Sequence, residues 1–218
     1  MNESIEAEKR VAAEAAAGLV EAGMRVGLGT GSTVAHLLPA LAARGLKITC
    51  VATSPRTEAA AREQGLQVEP FERIERLDLA IDGADQVAAD GWLVKGGGGA
   101  HTREKIVAAA ADRFVVIADS SKPVERIVAP IPLELHRFGL AATLRELGAV
   151  ELRDADPTPD DGVLADYLGE VDNPVVLAVR LATVPGVVEH GLFPPSLLAE
   201  VLIGRGTEVE RLHPPNGS

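Results

Sequence analysis

From residue 24 to residue 122, short apolar runs repeatedly end in turns built from Gly, Asp, Ser and Thr, with helical spacing between the turns. Residues 24–28 run into GLGTGST at 27–33, and residues 34–43 then carry apolar positions at helical spacing. Residues 47–52 stop at Thr53-Ser54 before a helical stretch at 57–64, and residues 77–81 stop at Asp82-Gly83-Ala84-Asp85. A short extended piece at 92–94 leads into Lys95 and the glycine run Gly96-Gly97-Gly98-Gly99. A helix at 102–111 and a strand at 113–118 follow, the strand ending at Asp119-Ser120-Ser121-Lys122. Parallel strands need long crossovers, so this alternation predicts a parallel, doubly wound sheet. All its polar turns fall at strand C-termini, where open α/β sheets place their ligands. Ahead of it, residues 5–21 read as a helix with Gly23 as C-cap, and Ser32 or Thr33 is the expected N-cap of the next helix.

The pattern changes after Pro123. Strands at 128–135, 150–153, 163–167 and 187–192, with helices at 139–147 and 173–183, give a βαββαβ order. That order predicts a small ferredoxin-like sheet, with residues 154–162 as the polar turn between its middle strands. Residues 198–212 supply one or two strands that return to the large sheet. The 218 residues therefore read as an α/β chain. A large domain spans 1–126 plus 194–218, and a ferredoxin-like α+β domain is inserted at 127–193.

Composition narrows the function classes. With one Trp, one Tyr and four Phe but 46% hydrophobic residues, the core must be built from Ala, Val, Leu and Ile. Twenty-one basic against 32 acidic residues give a net charge of -11, and no basic cluster offsets it. Nucleic acid and anionic membranes are excluded as partners on that ground, while a small anion held by a local site is not. A single cysteine, Cys50, rules out an internal disulfide framework and a Cys-based zinc site, and its apolar strand predicts an inert buried thiol. His36, His101, His136, His190 and His213 never pair at metal-ligand spacing, so no metal is expected. Neither a signal-type apolar core nor an apolar run of membrane-spanning length occurs, and a soluble cytoplasmic protein is expected.

Glycines that end a strand and open a helix turn backbone N–H groups toward an anion, and the helix dipole adds to the attraction. The segment 27–33 fits that description, with Thr30, Ser32 and Thr33 adding hydroxyls; a structural tight turn is the plain alternative. Ser32 stands where a dinucleotide fingerprint needs its third glycine, and no Gly-Lys-Ser/Thr exists for a Walker loop. A sugar phosphate or similar small anion is the preferred ligand. Asp82 and Asp85 follow a buried apolar run, where desolvation raises carboxyl pKa values into the range of proton transfer, although an Asp-Gly-Ala-Asp turn is also ordinary turn chemistry. Lys95 precedes a glycine run of high entropic cost, which implies close approach of backbone to a ligand. Glu104 lies in the first turn of the next helix, where it would otherwise only complement the dipole. Together these residues form a proton-transfer set with its own cation for a developing oxyanion.

These motifs in this order resemble the A-type ribose-5-phosphate isomerases. The resemblance rests on GLGTGST, on Thr53-Ser54 with Thr57-Glu58, on Asp82-Gly83-Ala84-Asp85, on Lys95 and its glycines with Arg103-Glu104-Lys105-Ile106, and on Asp119-Ser120-Ser121-Lys122. It extends to VPGVVEHGLF at 184–193 and so covers essentially the whole chain. It implies a Rossmann-like domain with an inserted ferredoxin-like domain, a homodimer or homotetramer, and reversible interconversion of ribose 5-phosphate and ribulose 5-phosphate without cofactor. By the resemblance, Glu104 moves the proton between C1 and C2 through a cis-enediolate, Asp82 assists ring opening and proton shuttling, Asp85 holds sugar hydroxyls, and Lys95 stabilises the enediolate oxygen. Thr30, Gly31, Ser32, Thr33, Gly83, Ala84, Gly96, Gly97, Gly98 and Lys122 would complete the substrate site. Gln86 departs from the Glu usual in the family. A non-catalytic sugar-phosphate sensor and an amino-sugar phosphate isomerase-deaminase of similar fold are the competing readings.

Overall fold

The computed structural model describes residues 2–214. In chain order the elements are α1 (Asn2–Ala17), β1 (Arg25–Leu28), α2 (Ser32–Ala43), β2 (Thr49–Ala52), α3 (Pro55–Glu63), β3 (Gln67–Val68), β4 (Leu79–Asp82), β5 (Gln86–Ala88), β6 (Leu93–Val94), α4 (His101–Ala109), β7 (Phe114–Asp119) and β8 (Pro123–Val124). They continue with β9 (Ile131–Leu135), α5 (Leu140–Leu147), β10 (Val150–Leu152), β11 (Val163–Tyr167), α6 (Pro174–Thr183), β12 (Val187–His190), β13 (Leu192–Phe193), β14 (Glu200–Arg205) and β15 (Glu208–Leu212).

Seven strands form the large sheet in the order β3-β2-β1-β4-β7-β14-β15, parallel except for the last, which closes a hairpin on β14. Strand order reverses between β1 and β4, as in a Rossmann-like sheet, and a crevice opens at the C-terminal ends of those two strands. The core is aliphatic, as composition requires. On one face Ala12, Ala13 and Ala16 of α1 are fully buried beside Leu37 and Leu41 of α2 and the inward residues of β1, β4 and β7. On the other face Val107 and Ala108 of α4 pack with Phe114 and Phe193.

The inserted sheet runs β10-β11-β9-β12, antiparallel throughout, with α5 and α6 as crossovers. This is the ferredoxin-like order read from the βαββαβ pattern. A third sheet, β13-β6-β5-β8, was not foreseen. Its strands are two or three residues long and carry no readable period.

Several boundaries differ from the sequence reading. α1 ends at Ala17, and Gly23, with φ of 88°, is not its cap but part of the later turn that donates its N–H to Lys47 O. Neither Ser32 nor Thr33 caps α2: Gly31 holds the N-cap position and no side chain bonds the first-turn amides. α3 starts at Pro55, because Ser54 accepts the Thr57 N–H and proline suits the first helical position. The strand expected at 187–192 breaks at Gly191. β12 stays in the inserted sheet, whereas Leu192 and Phe193 pair with Val94 and Leu93 in the third sheet.

Candidate active site

The crevice between β1 and β4 brings the predicted motifs together. Gly29 follows β1 directly beneath the Asp82 side chain that ends β4; a Cβ at Gly29 would sit 1.9 Å from that carboxyl group, so only glycine fits. Asp82 Oδ1 accepts the N–H groups of Thr30 (3.1 Å) and Gly83 (2.7 Å). Lys95, just beyond β6, places Nζ 2.9 Å from Asp82 Oδ2 and 3.2 Å from Glu104 Oε2, and donates to Gly83 O at 2.5 Å. Its ammonium also lies 5.6 Å from the centre of the Phe193 ring. Asp82, Lys95 and Glu104 are all buried, at 3%, 2% and 4% exposure. Glu104 sits on the first turn of α4, and its Oε2 has no hydrogen-bond donor of good geometry.

The electrostatics follow from two carboxylates sharing one cation out of water. Burial raises the Asp82 carboxyl above its ordinary range despite Lys95 and two amide donors. Burial alone would lower the Lys95 ammonium, but Asp82 and Glu104 together hold it above its ordinary value. Glu104 is pushed up to about 8, first by burial and then by the charge of Asp82, with Lys95 pulling the other way. A proton retained by this cluster therefore resides on Glu104, since Asp82 has the shorter ion pair and the amides. A carboxyl group in that state takes and returns a proton near neutral pH.

This cluster forms the floor of a cavity of about 100 Å³. Its lining comprises Thr30, Gly31, Ser32, Thr33, Gly83, Ala84, Asp85, Lys95, Gly96, Gly97, Gly98, Glu104 and Lys122, with Asp82 just behind Lys95. The residues expected to form the substrate site thus lie in one place, Asp82 from behind Lys95. Asp85 stands exposed at the mouth and accepts the Gly97 N–H at 2.8 Å. Lys122 has no carboxylate partner among the described residues and contributes an unneutralised cation. Gly31 to Thr33 present the uncapped N-terminus of α2. The structure alters one role: the Thr30 hydroxyl is turned away into a cluster with Thr53 Oγ1 (2.9 Å), Ser54 Oγ (2.8 Å) and Thr57 Oγ1 (3.2 Å), so Thr30 fixes the loop.

Gln86 donates to Val128 O and accepts the Val128 N–H, at 2.8 and 3.0 Å, a two-point joint that an ionised Glu, lacking a donor, would not make. Phe193, which walls the Lys95 ammonium, was missed as a site neighbour; the only sequence signal was its place in the 184–193 motif. Cys50 is buried, with its thiol pushed up to about 12, as expected of an inert strand cysteine. Among the described residues no group of three or more His, Cys, Asp or Glu is arranged to hold a metal. No helix there is long and apolar enough to cross a membrane.

Comparison with known proteins agrees with the geometry. The family model described as ribose 5-phosphate isomerase A (phosphoriboisomerase A) matches residues 49–208. A ribose-5-phosphate isomerase A from Methanosarcina acetivorans is 45% identical over 201 residues, covering 85% of this chain and 86% of its own. One from Caulobacter vibrioides is 43% identical over 227 residues, covering 97% of this chain and all of its own. The crystal structure of ribose 5 phosphate isomerase A from Neisseria gonorrhoeae superposes with a TM-score of 0.91 at 33% identity, over 95% of this chain and 96% of that one.

Proposed function

The chain belongs to the ribose 5-phosphate isomerase A family and is an aldose–ketose isomerase of ribose 5-phosphate; we propose that Glu104 is the base that carries the proton between C1 and C2 of the opened sugar. In this mechanism Glu104 takes the C2 proton of the aldose and returns it to C1. The electron pair passes onto the C1 oxygen, giving a cis-enediolate whose negative charge the Lys95 ammonium stabilises. Asp82, held by Lys95 and by amides on its other oxygen, moves protons on the sugar oxygens and assists ring opening. Asp85 holds sugar hydroxyls at the mouth. The amides of Gly31 to Thr33 and of Gly98, with the Ser32 and Thr33 hydroxyls and Lys122, hold the remaining oxygens, the phosphate included, while Gly96 and Gly97 complete the loop. Gly83 and Ala84 complete the wall. The remote phosphate supplies binding energy that orients the reacting carbons.

One observation carries this assignment: a single buried ammonium lies within 3.2 Å of two carboxylates, and one of them, Glu104, lines a cavity walled by glycine loops. A sensor would need the amides but no such base. An isomerase-deaminase is disfavoured by the relatives, which bear the ribose-5-phosphate isomerase name. The test is ketose formation from ribose 5-phosphate by Glu104→Gln; near-full turnover would remove Glu104 from the role of base.

The domain division 1–126 plus 194–218 and 127–193 belongs to the same proposal, supported by an inserted sheet whose strands all fall between Ile131 and His190. So does a homodimer or homotetramer, which the exposed valines of α6, Val175, Val176 and Val179, and the 87% exposed Phe138 support. A cytoplasmic setting, which fits a charged substrate that does not cross membranes unaided, and a place in the pentose phosphate pathway belong to the same proposal.

A further inference from the structure

The glycine loop that follows Lys95 is pressed between the cavity and the inserted sheet. On the sheet side, Arg153 directly follows β10 and directs Nη1 to Gly96 O at 2.7 Å, with Gly97 O at 3.4 Å. Its Nε and Nη2 form a two-point ion pair with Asp166 of β11, at 2.8 and 2.6 Å. Strand register fixes the pair: Glu151 lies opposite Asp166, and the Arg153 N–H donates to Leu164 O at 3.0 Å. Both side chains are about four-fifths buried, at 19% and 22% exposure. None of these groups touches the reacting cluster.

A trans peptide is planar, so its C=O and N–H point in opposite directions. The peptide joining Gly96 to Gly97 is held at both ends: its carbonyl accepts from Arg153 and, within the turn, from the Gly99 N–H at 3.0 Å, and its N–H donates to Asp85 at the cavity mouth. In the next peptide the Gly97 carbonyl again faces Arg153, which turns the Gly98 N–H toward the cavity. Among the described residues that N–H has no protein acceptor. Glycine tolerates this orientation and, having no side chain, does nothing to enforce it. Gly96 has φ of 109°, and a Cβ there would come within 2.7 Å of Pro132 on the inserted sheet.

We propose that Arg153, held by Asp166, is a positioning residue for substrate binding: it sets the peptide planes of Gly96 and Gly97 so that the Gly97 N–H meets Asp85 and the Gly98 N–H faces the sugar phosphate. The inserted domain thereby completes a site whose chemistry lies on the other domain. This rests on the reading that the loop holds substrate. The alternative is that Arg153 acts only as a nearby positive charge, and the two ideas predict opposite signs for one variant. Asp166→Asn leaves the guanidinium in place and makes the region less negative. If charge alone mattered, KM for ribose 5-phosphate would fall; if position matters, it rises.

The experiment measures kcat and KM for ribose 5-phosphate, with thermal melts, in wild type, Arg153→Ala, Arg153→Lys and Asp166→Asn. Misplacing a binding loop costs on the order of ten- to a hundredfold, so KM should rise at least about tenfold in Arg153→Ala. Arg153→Lys, which keeps a donor for Gly96 O but loses the fork, should recover part of that rise, and Asp166→Asn should also raise KM. kcat should stay within about threefold, because the affected contacts serve ground state and transition state alike. Wild-type KM in Arg153→Ala, or a lowered KM in Asp166→Asn, overturns the proposal. A fall in kcat at unchanged KM that tracks loss of folded protein also overturns it. Should Arg153→Ala fail to fold, the other two variants carry the test. Absence of isomerase activity in wild type would instead sink the underlying reading of the site.

Discussion

Glu104 is the residue on which the physical account is most exposed. Its pKa of about 8 in the fold, against an ordinary 4.5, means that the folded protein holds a proton across that interval which the unfolded chain has released. Stability contributed by this carboxyl is therefore complete below pH 4.5 and is lost as pH rises through 8. Activity runs the other way, because the base must be ionised to take the C2 proton. We predict that kcat/KM for ribose 5-phosphate rises with pH toward a limb near 8. A profile flat across that range would show that Glu104 does not titrate there. We also predict that Glu104→Gln melts higher than wild type above pH 8, by the equivalent of about 1 kcal/mol or more, and that the difference shrinks toward pH 4.5. At about 2–4 °C per kcal/mol for a chain of this size, a melting curve resolves it. The residue types of this cluster were legible in the sequence, since two Asp, one Lys and one Glu at strand ends announce proton transfer. The side-chain geometry was not: Thr30 looked like a ligand donor, and only the fold shows its hydroxyl committed to Thr53, Ser54 and Thr57.

At the scale of elements, the catalytic strand ends are held by caps and by short strands that sequence periodicity does not reveal. Ser54 both caps α3 and accepts the Thr30 hydroxyl. Ser54→Ala should cost about 1 kcal/mol through the lost cap, and it should also raise KM, because the loop that Thr30 anchors then loosens. Loss of stability with unchanged KM would confine Ser54 to the cap. Strong apolar patterns made β1, β4, β7 and β11 readable, the last to the residue. The pairs β5–β6 and β6–β13 were invisible, because two residues make no period and their partners lie far along the chain. Yet it is this third sheet that carries Lys95 past Gly191, whose carbonyl accepts the Lys95 N–H at 2.9 Å.

For the whole molecule, opposing titrations set the window in which the enzyme is stable. His101 and His190 are held at about 4, below their ordinary 6.5, by burial first and then by the Lys105 charge. Both therefore stay neutral in the fold, and the stability they allow, present above pH 6.5, is lost as pH falls toward 4. The histidines therefore work against the fold on the acid side of pH 6.5, while the Glu104 contribution is lost as pH rises through 8, with Asp82 shifted in the same direction as Glu104. Glu104→Gln should lessen the loss of melting temperature as pH rises between 4.5 and 8 and leave the histidine contribution unchanged. The net charge of -11 adds a kinetic constraint, since an anionic substrate must approach against the average field. Raising ionic strength from about 0.01 M to about 0.15 M shortens the screening length from about 30 to about 8 Å. Association with ribose 5-phosphate should accelerate over that range; association fastest at the lowest salt would show that Lys122 and the local amides dominate the field.

The central claim, that one buried carboxyl group performs the isomerisation, is tested most directly by the steady-state rate of ribulose 5-phosphate formation in Glu104→Gln at matched folded protein. The account predicts a loss in kcat on the order of a thousandfold, within the range that general acid–base groups supply, with KM little changed. A variant that retains kcat within a few-fold of wild type would contradict it.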